Sequence, residues 1–141
     1  MFLHLKRFKF NHDKNCKEKL YSYFEYYHEL DFRKYMTMES SACVYTLGGV
    51  IVHEGSIDNG HFYSIVRDRK SGVSNGQDSH WFEMDDDWVG RFDMENLFDD
   101  TFGHQVDSEV ECGEGDEGDE GDEEYLATVP CAYILVYDRV I

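Results

Sequence analysis

Ala42-Cys43-Val44-Tyr45-Thr46-Leu47-Gly48-Gly49-Val50-Ile51-Val52-His53 is a long β-rich run. β-Branched and aromatic side chains suit a pleated, half-buried surface. The central Gly48-Gly49 pair predicts a bulge or a close backbone approach inside the strand. After it, Glu54-Gly55-Ser56-Ile57-Asp58-Asn59-Gly60 is rich in turn residues and leads into a second strand, His61–Arg67. A polar loop, Asp68–Ser79, precedes a third strand at His80–Met84, which ends in Asp85-Asp86-Asp87. Strands joined by turns of this kind predict an antiparallel sheet.

The flanks extend the same pattern. Apolar and polar residues alternate over Leu3–Leu5 and again over Phe8–Phe10, and Asn11-His12-Asp13-Lys14-Asn15 is a polar turn with Cys16 beside it. Leu20–Phe32 mixes helical spacing with strand-favouring Tyr and Phe; its reading is a strand at Ser22–Tyr26 and a helical turn near Phe32–Met36. Asp93–Asp99 fits a short helix with Asp93 as N-cap. Ala132-Tyr133-Ile134-Leu135-Val136-Tyr137 is an apolar strand that must pair with the earlier sheet to be stable. The fold class expected is α+β, mostly antiparallel sheet with one or two short helices, in a single domain spanning 1–141.

The charge is unevenly placed. Asp107 to Glu124 carries 11 acidic residues and no Lys or Arg; removing them from a net charge of −17 leaves −6, an ordinary acidic domain. Gly-Asp-Glu repeats three times within 107–124, so that segment is expected to be a disordered insertion in a loop. Without a basic stripe, nucleic acid is excluded as a partner, whereas a basic protein surface suits an acidic face. No apolar run approaches the ~20 residues needed to span a bilayer, and Met1-Phe2-Leu3 is followed at once by His4, Lys6 and Arg7, unlike a signal peptide. Cys16, Cys43, Cys112 and Cys131 contain no Cys-x-x-Cys pair, which argues against a zinc ribbon. An intracellular protein (cytoplasm or nucleus) with reduced thiols is expected.

The chemistry centres on His61 and the acids that end the next strand. A lone histidine at a strand start is most often structural, but Gly60 allows unusual backbone geometry before it, and Phe62 and Tyr63 follow it. An imidazole with an orienting carboxylate is the pairing that general-base catalysis requires, and Asp85 is the first acid after Trp81-Phe82-Glu83-Met84. A metal site built from His53, His61 and an Asp fits no usual zinc spacing, and no cofactor or metal is expected.

Leu3-His4-Leu5-Lys6-Arg7-Phe8, Gly49-Val50-Ile51-Val52-His53-Glu54-Gly55-Ser56, Gly60-His61-Phe62-Tyr63, Trp81–Val89 and Ala132–Tyr137 occur in a familiar order. Together they resemble the C-terminal half of the catalytic domain of ubiquitin-specific proteases, papain-like deubiquitinases. The resemblance implies a partial papain-like cysteine protease fold, its palm half. It implies that His61 is the general base, that Asp85 orients it, and that Asp86 is a neighbouring acid ordering the site. It also implies that Glu54–Asn59 is a mobile loop flanking the channel for ubiquitin's Gly-Gly tail, with His53, Phe62 and Tyr133 near that channel. Phe62 stands where the family usually has Tyr, keeping the aromatic wall without the hydroxyl.

The family's nucleophile lies in an Asn-x-Gly-Asn-x-Cys-type box at a helix start, and none of the four cysteines stands in such a box. The resemblance therefore implies the base-and-orienter half of a thiol-dependent hydrolase acting after ubiquitin's C-terminal glycine, incomplete or split, with a Cys-box half as partner. Met1 falling within the first strand motif motivates that expectation. The alternative is a catalytically inactive module that binds ubiquitin or a ubiquitinated protein.

Overall fold

The structure, a computed structural model, describes residues 1–35, 43–69, 80–103 and 129–140. Its elements run β1 (Phe2–His4), β2 (Phe8–Asn11), β3 (Cys16–Lys19), β4 (Glu29–Asp31), β5 (Val44–Gly55), β6 (Gly60–Arg67), β7 (Trp81–Asp85), β8 (Trp88–Phe92), α1 (Leu97–Thr101) and β9 (Cys131–Arg139). One seven-stranded sheet has the order β1-β9-β5-β6-β7-β8, with β4 paired to the start of β5; β2 and β3 form a separate hairpin. Every pairing is antiparallel. The α+β expectation, mostly antiparallel sheet with short helices, is met.

β5 is the organising strand, paired with β9 along one side and with β4 and then β6 along the other. Its partnership with β9 slips register twice, between Leu47 and Gly49 and between Ile51 and Val52. The first slip lies at the glycine pair that predicted it. A Cβ on Gly48 would stand 2.5 Å from the Asp138 carboxylate, so this position admits no side chain without displacement. The slips keep one face apolar despite the broken alternation: Leu47 lies beside Tyr137, Val50 beside Leu135, and Val52 beside Ala132, all fully buried. Ile65 and Trp81 continue this face across β6 and β7, and Tyr26, Leu97 and Phe102 cover it.

The helical turn and the short helix also form. Residues Arg33–Tyr35 make a 3-10 turn, and Asp93 caps a second one at Met94–Asn96, its carboxylate accepting the Glu95 amide, before α1 begins.

Three expectations change. The strand read at Ser22–Tyr26 is largely irregular; regular pairing falls instead on Cys16–Lys19 and Glu29–Asp31. The carbonyls of Leu20 and Ser22 accept from the Arg7 guanidinium, and the Phe24 amide donates to Phe102, so this stretch spends its polar groups on distant partners. Cys16 opens β3 instead of lying in the polar turn; it is disulfide-bonded, against the expectation of reduced thiols throughout, whereas Cys43 and Cys131 are free. The acidic run does not close the third strand for good: Asp86-Asp87 is a two-residue hairpin turn into β8, with Asp86 at φ 47, a conformation Asp tolerates better than most residues. The acidic segment 107–124 lies outside the described residues.

Candidate active site

β6 begins where the β5–β6 turn closes at the Gly55–Gly60 pair. His61 then sits across from Glu54, and Phe62 across from His53. Because side chains alternate, these two pairs occupy opposite faces of the sheet. Gly60 is required here: a Cβ would stand 2.2 Å from His53 Nε2 and 2.6 Å from the Ser56 carbonyl. The close approach suggested by glycine before His61 is thus real, and the group approached is the His53 ring.

On the first face His61 Nε2 is hydrogen-bonded to Asp85 Oδ1 at the end of β7. Both side chains are a little under half exposed. The bond to Asp85 holds the imidazole above its ordinary value of 6.5, and the charges of Asp85, Asp86 and Glu54 act in the same direction. With Nε2 donating to the carboxylate, Nδ1 is the lone-pair nitrogen that can take a proton from a partner. The ligand atoms of His61, Asp85 and Asp86 lie within 4.8 Å of one another, so the three predicted catalytic residues share one spot. His53 does not join that group.

On the second face His53, Phe62 and Tyr133 converge, as expected of one surface. The His53 and Phe62 rings are 4.6 Å apart, and Phe62 and Tyr133 are 5.3 Å apart. Phe8 of β2 completes the group, 5.0 Å from His53 and 5.3 Å from Tyr133. His53 is buried, its Nδ1 lacks a hydrogen-bond partner, and burial pushes its pKa down to about 4, with Lys19 and His61 adding to the shift. It is therefore a neutral ring at physiological pH and a wall, not a second base. Phe62 remains 46% exposed, so the wall is open to a partner.

Beneath this wall lie two buried cations that the sequence reading passed over. Arg7 donates to the carbonyls of Ala132, Leu20 and Ser22, and Lys19 donates to those of His53 and Gly55. Neither leans on a carboxylate for these bonds. One signal was available for Arg7: it falls two residues after Leu5 and four after Leu3, on the apolar phase of the strand. Lys19 had no comparable signal. Cys131, fully buried between them, has its thiol pKa pushed up by burial despite both cations. Cys43 is buried as well. Neither described free thiol has the exposure or lowered pKa of a nucleophile.

A palm-like sheet with a His–Asp pair at one end defines a papain-like hydrolase half. Solved structures share this fold: the SAGA Ubp8/Sgf11/Sus1/Sgf73 DUB module matches with a TM-score of 0.59 at 21% identity, covering 99% of this chain and 23% of that one. The family model described as ubiquitin carboxyl-terminal hydrolase matches residues 1–137, and the chain belongs to that family. Among curated relatives, ubiquitin carboxyl-terminal hydrolase 15 of Schizosaccharomyces pombe is 33% identical over 140 residues, covering 97% of this chain and 11% of the relative. Ubiquitin C-terminal hydrolase 12 of Arabidopsis thaliana is 28% identical over 145 residues, covering 97% and 12%. The chain thus spans about a tenth of the length of these relatives. Among the described residues no helix is long and apolar enough to cross a membrane.

Proposed function

We propose that this chain supplies the base-and-orienter half of a cysteine-type deubiquitinase, hydrolysing the bond after ubiquitin's C-terminal glycine. The observation that carries the reading is the His61–Asp85 hydrogen bond, which commits Nε2 and leaves Nδ1 to accept the proton of a thiol. His61 is the general base and Asp85 the residue that fixes its tautomer, while Asp86 adds negative charge beside the ring. His53, Phe62 and Tyr133 form the apolar wall along which the ubiquitin tail lies, the exposed Phe62 ring being its contact surface. The nucleophilic cysteine comes from a Cys-box half outside these 141 residues, and the partners are ubiquitin and ubiquitinated proteins inside the cell.

In the reaction the thiol proton passes to His61 Nδ1 as sulfur attacks the glycine carbonyl. The imidazolium returns that proton to the departing amine, and His61 then activates water to hydrolyse the thioester. Asp85 stabilises the imidazolium in both steps.

Ubiquitin carrying an electrophile at its C-terminal glycine tests the reading. A complex containing this chain should be labelled on a cysteine, and His61→Ala should cut labelling by at least about 100-fold. The burial of Cys43 and Cys131 favours one other reading, an inactive ubiquitin-binding module. Ubiquitin-induced chemical shift changes around Phe62 with no labelling of any complex would establish that one instead.

A further inference from the structure

We propose that Lys19 is a positioning residue for the β5–β6 turn, its buried ammonium holding the His53 and Gly55 carbonyls so that Glu54 stays opposite His61. Lys19 Nζ lies 3.2 Å from the His53 oxygen and 2.7 Å from the Gly55 oxygen, bracketing Glu54 from both sides. The ammonium also sits 4.7 Å from the centre of the Tyr21 ring. A buried cation without such partners would be costly, so its carbonyl contacts are an obligatory part of the fold here.

The turn itself has little slack. Gly55 has φ +91, and a Cβ there would stand 2.7 Å from the Asn59 carbonyl. Within the loop the Asn59 amide donates to Ser56 Oγ at 3.0 Å. Gly60 rests against the His53 ring, whose own carbonyl Lys19 holds. The β2–β3 hairpin therefore reaches under β5 and fixes both the floor and the hinge of the turn that delivers His61. Glu54 faces His61 in the register and adds to its preference for the protonated form.

The charged and titratable groups around Lys19 are Cys131 on β9, Arg7 before β2, Glu54 and His53 on β5, and Tyr21 beyond β3. Burial is the largest influence, and it brings the ammonium down to about 8. The hold on the two carbonyls thus weakens within an accessible pH range.

The catalytic meaning of this clamp rests on the hydrolase reading, but its test does not. In the 141-residue chain, amide exchange and the His61 titration are followed by NMR for wild type, Lys19→Met and Lys19→Arg. Lys19→Met should speed exchange of the Gly55–His61 amides by about tenfold or more while the β7–β8 amides stay protected. It should also lower the His61 midpoint as Glu54 drifts away, and Lys19→Arg should restore both. A folded Lys19→Met chain with wild-type exchange and an unchanged His61 midpoint overturns the proposal.

If Lys19→Met does not fold, the wild type decides. The Lys19 Nζ resonance is titrated between pH 7 and 9.5 together with the protection factors of Gly55 and Gly60. Protection should fall with the midpoint of Lys19; protection independent of that midpoint overturns the proposal. Failed labelling of a ubiquitin probe would leave these readouts untouched, and unchanged exchange would leave the hydrolase reading untouched.

Discussion

His61 and Asp85 meet diagonally across β6 and β7. Ser64 is paired with Met84, so the position directly facing His61 falls beyond the end of β7, and Asp85 reaches back to the ring. The contact belongs to the sheet register as much as to the two side chains.

Replacing Asp85 should therefore be read out on His61. Asp85→Ala should bring the His61 midpoint down toward 6.5, because the hydrogen bond that raises it is gone. The sign follows from linkage: a raised folded-state pKa favours folding below the unfolded value, and that contribution disappears as pH rises through the folded value. NMR titration of the ring checks this. In an active complex the same substitution should cut turnover by about 10²–10⁴, and an unaltered midpoint would sink the assigned pairing.

His53 should behave in the opposite way. With its folded value near 4 and its ordinary value at 6.5, the unfolded chain binds the extra proton first as pH falls. Stability contributed by the neutral ring is complete above 6.5 and is lost on acidification toward 4. Denaturant melts of wild type and His53→Phe across pH 4–7 should show a shallower acid slope for the variant; equal slopes would contradict the assignment.

Gly60→Ala should disturb both faces at once. The added Cβ meets the His53 ring and the Ser56 carbonyl at distances that side-chain carbon does not tolerate. Resonances of His53 and of the Ser56–His61 turn should shift, and probe labelling should drop, with β8 and β9 unaffected. An unperturbed His53 ring in a folded Gly60→Ala chain would refute the described packing.

Leu135→Ala tests the shared apolar face. Leu135 is fully buried beside Val50, so truncation should cost about 2–5 kcal/mol in urea unfolding. A loss within about 0.5 kcal/mol would mean that the face is not packed as described.

The sequence made the strands and the His–Asp pair legible for definite reasons. Gly48-Gly49, Gly60-His61 and the acids after Trp81–Met84 are local signals, each tied to a neighbour in the chain. The Asp93 cap was readable for the same reason. Ser22–Tyr26 was misread because its fate depends on Arg7 and Phe102, residues far away in sequence. β8 was missed because three successive acids resemble a strand's end, while the positive φ of Asp86 turns the chain back into the sheet. Lys19 was invisible because a lysine satisfied by main-chain carbonyls leaves no complementary acid to find.

The glycine pair in β5 has an arithmetic consequence. The two slips against β9 correct the phase of the strand, so a deletion or insertion of one residue near Gly48 would turn Val50 and Val52 outward and His53 and Glu54 to the wrong sides. This stretch can therefore drift in composition far more easily than in length, and its count of residues is itself inherited information.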